Sequence, residues 1–133
     1  MEIPFLADLR TRMNAKKELK GFFSEKETLK VLAKTAKGLA YMHSLGIAHR
    51  DVKPDNVFFA EDNILKLGNP LLPTSSFQES ALQNIFKTSP IGTPAYLAPE
   101  VLLAAKDKKL STYDAIKADC WAFGIFVYEL LTF

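Results

Sequence analysis

The chain is poor in the residues that staple a fold or ligate a metal. Cys120 is its only cysteine, so no internal disulfide can form. With no charged-then-apolar leader at the start, this points to a reducing, intracellular and cytoplasmic setting. The two histidines, His43 and His49, are not in metal-ligand spacing. No two of the six glycines lie closer than eight residues, which excludes a G-x-G-x-x-G phosphate-binding turn within these residues. Long hydrophobic runs are also missing. The apolar stretch from Cys120 to Phe133 is too short to span a bilayer and contains Glu129. Charge of one sign is lacking too: 17 basic against 15 acidic side chains leave +2, which selects no class of partner. The pairs Lys16-Lys17 and Lys108-Lys109 read as solvated faces, so neither nucleic acid nor a membrane is expected as a partner.

At 133 residues the chain is long enough for one modest domain. A short helix is expected near residues 5 to 14. Ser24-x-x-Glu27 is a capping-box pattern, and Leu29, Leu32, Ala36, Leu39 and His43 follow it at three- and four-residue steps, one face of a helix that Gly46 should stop. Val57 to Phe59 and Ile64 to Leu67 read as two short strands joined through Glu61-Asp62-Asn63. Residues 69 to 92 are broken by Ser, Thr, Pro and Gly and read as a long loop. Trp121, Phe123, Ile125, Phe126, Val127, Tyr128, Leu130, Leu131 and Phe133 would cover every side of a last helix beginning near Asp119, a helix made to be surrounded.

The run His49-Arg50-Asp51-Val52-Lys53-Pro54-Asp55-Asn56 carries the chemistry. It has the H-R-D-x-x-x-x-N form of a phosphoryl-transfer loop. An aspartate can accept a hydrogen bond from an attacking hydroxyl, a lysine can neutralise charge on a phosphoryl group, and an asparagine can offer an amide oxygen to Mg²⁺. Three further stretches agree in order and spacing: Ile64-Leu65-Lys66-Leu67-Gly68-Asn69, then Gly92-Thr93-Pro94-Ala95-Tyr96-Leu97-Ala98-Pro99-Glu100, then Asp119-Cys120-Trp121-Ala122-Phe123-Gly124. On these motifs the chain resembles the eukaryotic protein kinase family. Lys53 and the G-T-P-x-Y-x-A-P-E form place the resemblance in the serine/threonine branch.

The resemblance implies a fold and a set of roles. The fold would be α+β in the family and mainly α here: residues 1–133 as a partial kinase C-lobe with a short β-hairpin beside the catalytic loop. It would run from a hinge at Met1-Glu2 to the buried central helix, without the other lobe or the last helices. Asp51 and Lys53 would be catalytic, and Asn56 and Asn69 would bind ATP and Mg²⁺. Arg50 would hold a phosphate on the activation segment, with Thr88 and Ser89 as the modified positions, and Thr93 would contact Asp51 and Lys53. His49, Glu100 and Asp119 would be structural: Asp119 as a helix cap that also holds the catalytic loop, Glu100 as a buried carboxylate whose family partner is an arginine on a later helix.

One motif departs from the family. Thirteen residues after Asn56, where D-F-G is expected, the sequence has Asn69-Pro70-Leu71, and no aspartate lies between Asp62 and Asp107. A neutral amide there weakens the metal site, because Mg²⁺ prefers charged oxygen donors. Pro70 fixes φ in a segment that normally hinges. Three readings stay open: a serine/threonine kinase represented in part, with the isolated chain inactive; a pseudokinase or scaffold that binds protein partners, including one covering the apolar helix 120–133; and a truncated reading frame without function. The sequence names no peptide substrate, subfamily or activator.

Overall fold

Three of the four described helices start from a side chain that the sequence supplies just before them. In the computed structural model, residues 7–60, 65–68, 86–87, 92–106 and 113–133 are described, with 86–87 described for backbone only. The Asp8 carboxylate accepts from the Thr11 amide at 2.7 Å and starts α1 (Leu9–Glu18). This helix lies a few residues beyond the expected 5 to 14, and it buries Leu9 and Met13 one turn apart. Helix α2 (Glu25–Ser44) starts from the full capping box: Glu27 N donates to Ser24 Oγ, and Ser24 N donates to Glu27 Oε2. It ends where Gly46, at φ +70°, turns left-handed and Ile47 N reaches back to Met42 O at 3.0 Å.

The face of α2 that packs inward is shifted from the expected one. Thr28, Val31, Thr35 and Leu39 are buried, whereas Leu29 is exposed. The leucine pattern pointed one position off because two threonines occupy buried places.

Two short strands follow the His49–Asn56 loop. A 3₁₀ turn (Pro54–Asn56) leads into β1 (Val57–Phe59), which pairs antiparallel with β2 (Leu65–Leu67), Val57 opposite Leu67 and Phe59 opposite Leu65. This is the expected hairpin; Ile64 and its joining residues lie outside the described residues. Within the stretch expected to be loop, β3 (Phe86–Lys87) pairs with β4 (Tyr113–Asp114), a long-range pairing that no local pattern announces. Between them come a second 3₁₀ turn (Pro94–Tyr96) and α3 (Pro99–Lys106).

Helix α4 (Ala115–Thr132) starts four residues before Asp119, and its N-cap is Asp114, which accepts from Ile116 N and Lys117 N. Asp119 is therefore not the cap. It sits one turn inside the helix, facing inward, and is 1% exposed. Glu100 corrects a second expectation: it is exposed in the first turn of α3, where a carboxylate also complements the helix dipole.

The main core joins Leu9 and Met13 of α1, Val31 of α2, Val57 and Phe59 of β1, and Phe126 and Leu130 of α4. Burying a side chain such as Phe126 contributes about 2–3 kcal/mol. A second cluster of Leu39, Val52, Tyr96 and Ala122 lies under the His49–Asn56 loop. Helix α4 is apolar all round, but Trp121, Tyr128 and Leu131 are exposed. Among the described residues, no helix is long and apolar enough to cross a membrane.

Candidate active site

The loop from His49 to Asn56 is held from below by α4. Asp119 Oδ2 accepts the His49 amide at 2.7 Å and the His43 ring Nε2 at 2.8 Å, while Oδ1 accepts the Arg50 amide at 2.8 Å. Arg50 lies at φ +68°, a left-handed conformation that costs a non-glycine residue on the order of 1–2 kcal/mol. The two amide bonds to Asp119 offset that strain and orient the loop. His49 carries the restraint to the hairpin. Its Nδ1 accepts the Asp51 amide at 3.2 Å, which leaves the Nε2 hydrogen to donate to Gly68 O at 2.9 Å. Burial pushes the imidazole below its ordinary pKa, and the bonded Gly68 carbonyl and nearby carboxylates offset only part of that.

Above this support the polar side chains converge on Asp51. Thr93 donates its hydroxyl to Oδ1 at 2.7 Å and in turn accepts from Lys53 Nζ at 2.7 Å. Lys53 Nζ is also 3.4 Å from Oδ2, and Asn56 Nδ2 donates to both Oδ2 at 3.0 Å and the Asp51 carbonyl at 2.7 Å. Burial raises the pKa of this carboxyl, but the Thr93, Asn56 and Lys53 contacts outweigh it and hold Asp51 below the usual carboxylate range. A cavity of about 20 Å³ beneath Asp51, Thr93 and Tyr96 has room for no more than a water.

Gly92 makes the Thr93 contact possible. It lies at φ +136°, and a Cβ there would stand 2.8 Å from Arg50 O and 2.9 Å from a Leu97 methyl. Only glycine allows the two segments to approach so closely.

The site residues thus divide. Asp51, Lys53, Asn56 and Thr93 come together, with His49, Arg50 and Asp119 beneath them. Arg50 Nη2 donates to Tyr113 OH at 2.7 Å, tying the loop to β4. Glu100 stands apart and exposed. Asn69, Thr88 and Ser89 lie outside the described residues.

Sequence reasoning missed a second cluster beside this one. Arg10 of α1 donates to Glu129 of α4, to Tyr96 OH at 2.9 Å and to Asp55 Oδ2 at 3.3 Å, and Tyr96 OH donates to Glu129. Glu129 raises the Arg10 pKa. The Tyr96 phenol is pushed up to about 12 by burial and by Glu129. Burial raises the Glu129 pKa, yet the Arg10 and Tyr96 bonds hold it below its ordinary range. Arg10 and Glu129 are 119 positions apart, and nothing local in either sequence signals the meeting.

Mg²⁺ would find one oxygen suited to it here. Both contacts of the Asn56 amide nitrogen go to Asp51, so its Oδ1 has no hydrogen bond among the described residues and offers a hard, neutral donor. No group of three or more His, Cys, Asp or Glu able to hold a metal occurs among the described residues. Asn56 Oδ1 would be one oxygen donor for Mg²⁺, a cation that prefers oxygen ligands.

Comparison with known proteins agrees with this geometry. A family model described as a protein kinase domain matches residues 3–133. The CaM kinase-like vesicle-associated protein of Homo sapiens is 35% identical over 112 residues, covering 84% of this chain and 20% of that protein. The CBL-interacting serine/threonine-protein kinase 5 of Arabidopsis thaliana is 37% identical over 112 residues, 84% of this chain and 23% of its own length. The Calcium-dependent protein kinase 5 of Plasmodium berghei is 36% identical over the same length, 18% of that protein. The chain spans about a fifth of the length of these curated relatives.

Proposed function

Since this chain belongs to the eukaryotic serine/threonine protein kinase family, we propose that its Asp51 loop is the machinery of ATP-dependent phosphoryl transfer to protein hydroxyls, and that Asn69 leaves the loop short of charge for Mg²⁺. The observation that carries the first half is the convergence on Asp51. A carboxylate kept ionised, already accepting a hydroxyl at 2.7 Å and flanked by a lysine amine at 3.4 Å, is suited to orienting a serine or threonine hydroxyl.

In this reading Asp51 accepts the hydrogen bond of the substrate hydroxyl in place of Thr93 and takes its proton as the oxygen attacks the γ-phosphorus of ATP and the bridging oxygen leaves with ADP. Lys53 steadies the phosphoryl oxygens. Asn56 Oδ1 and residue 69 would hold Mg²⁺, which when bound supplies charge neutralisation on the phosphates. Arg50 would receive a phosphate on Thr88 or Ser89 and transmit its order through Tyr113 and the loop.

Asn69 carries the second half. Replacing a carboxylate by an amide at the metal removes an electrostatic contact that typically contributes on the order of 10²–10³ in rate. With no glycine turn to cradle phosphates among these 133 residues, the isolated chain does not transfer phosphate. Asn69 also favours a second reading, a pseudokinase that binds protein partners without chemistry; the exposed Trp121, Tyr128 and Leu131 would suit such a partner.

The test is calorimetry of ATP binding, with and without Mg²⁺, on this chain fused to a kinase N-lobe. Asn69→Asp is expected to raise the Mg²⁺-dependent part of the affinity. Equal affinities for both versions would mean that residue 69 is not at the metal.

A further inference from the structure

Away from Asp51, a cavity of about 170 Å³ opens between α1, α2 and the β1–β2 hairpin. Val31 and Phe59, both nearly fully buried, form its floor, with Phe23 and Leu65 beside them. An apolar cavity of about 150 Å³ accommodates one benzene ring. The volume and aromatic lining therefore suit a single ring.

The polar lining is unbalanced. Arg12 lies with its guanidinium 3.6 Å over the Phe59 ring. Its side chain makes no hydrogen bond or ion pair among the described residues, and its buried Nε has no partner. Burial alone lowers its pKa, and no carboxylate offsets that. The one acid in the lining, Glu27, is already engaged: it accepts from Ser24 N at 2.7 Å, Ser24 Oγ at 2.9 Å and Lys16 Nζ at 3.3 Å. Lys30, on the rim, is exposed and solvated. A guanidinium held against a ring, partly desolvated and without a counterion among the described residues, suits an anion with planar, bidentate oxygens. Of the two cations in the lining only Arg12 is partly desolvated, and it matches one negative charge. Glu27 would repel the second charge of a phosphate dianion, so a carboxylate fits best.

We propose that this cavity is a binding site for a small aromatic carboxylate, with its ring among Val31, Phe23 and Leu65 and its carboxylate on Arg12. The site is separate from the Asp51 loop and does not depend on whether that loop is active. A ligand there would brace α1 against α2, and α1 carries Arg10, which contacts Tyr96 and Asp55.

Three probes test this on the full ¹⁵N-labelled chain: benzoate, benzyl alcohol, which has the ring without the charge, and acetate, which has the charge without the ring. Benzoate is expected to move the amide signals of Arg12, Val31, Phe59 and Leu65 together and saturably. Each of the other two should need at least about tenfold higher concentration, since one charge-assisted pair or one buried ring is lost. In Arg12→Gln, benzoate and benzyl alcohol should converge to within about twofold. Should that variant fail to fold, the comparison of probes on the wild-type chain still decides. Benzyl alcohol binding as well as benzoate, or shifts scattered away from these four residues, would overturn the assignment.

Discussion

Thr93 donates its hydroxyl to Asp51 Oδ1 at 2.7 Å, joining residues 42 positions apart. The Thr93 hydroxyl oxygen in turn accepts from Lys53, so one hydroxyl sits between the two charged groups of the loop. The contact depends on Gly92, where any Cβ would collide with the Arg50 carbonyl.

Removing the hydroxyl should change the acidity of Asp51. In Thr93→Val the carboxylate loses a donor, and its pKa is expected to rise toward the ordinary carboxylate value while the fold persists. Gly92→Ala should raise it as well and also destabilise the chain by about 1–3 kcal/mol through strain. Carboxyl ¹³C shifts followed against pH give the first result, and urea unfolding gives the second. An unchanged Asp51 titration in both variants would mean that the Thr93 contact does not form in solution.

Asp119 receives three donors in a buried position, two of them backbone amides of the strained loop. Asp119→Ala leaves those donors unsatisfied and should cost about 2–5 kcal/mol. Asp119→Asn keeps one acceptor oxygen but turns an amide NH₂ toward a donor, so it should recover only part of the loss. Equal stability of wild type and the alanine variant, by denaturant midpoint, would contradict this.

His49 gives the fold a pH dependence of defined sign. Its folded pKa is depressed by burial, so the unfolded chain binds a proton more readily than the folded one. The stability that neutral His49 contributes is present above the unfolded value of about 6.5 and is lost as pH falls from there toward the folded pKa. Thermal midpoints between pH 7.5 and 5.5 should therefore drop more steeply in wild type than in His49→Gln. Parallel slopes would show that His49 is not the group responsible.

Much of the structure was legible because its signals are local. Ser24 and Glu27 make their capping box within four residues, Gly46 stops α2 at the expected place, and the His49–Asn56 run brings Asp51, Lys53 and Asn56 together inside eight residues. Elsewhere the deciding contacts are remote. Thr28 and Thr35 look like a solvent face but are buried. Asp119 resembles a cap in sequence, yet Asp114 already caps α4, which frees Asp119 to reach the loop. The Arg10–Glu129–Tyr96 cluster joins three elements at large separations, as does the β3–β4 pairing. No periodicity encodes such meetings.

The central claim is that Asp51 belongs to a phosphoryl-transfer loop which, in these 133 residues with Asn69 in place of a metal-binding carboxylate, does not turn over. Phosphotransfer from radiolabelled ATP with Mg²⁺ to generic serine/threonine substrates, measured for the purified chain and for Asp51→Ala, tests it most directly. The prediction is no incorporation in wild type above the Asp51→Ala background. Turnover present in wild type and lost in Asp51→Ala would contradict it.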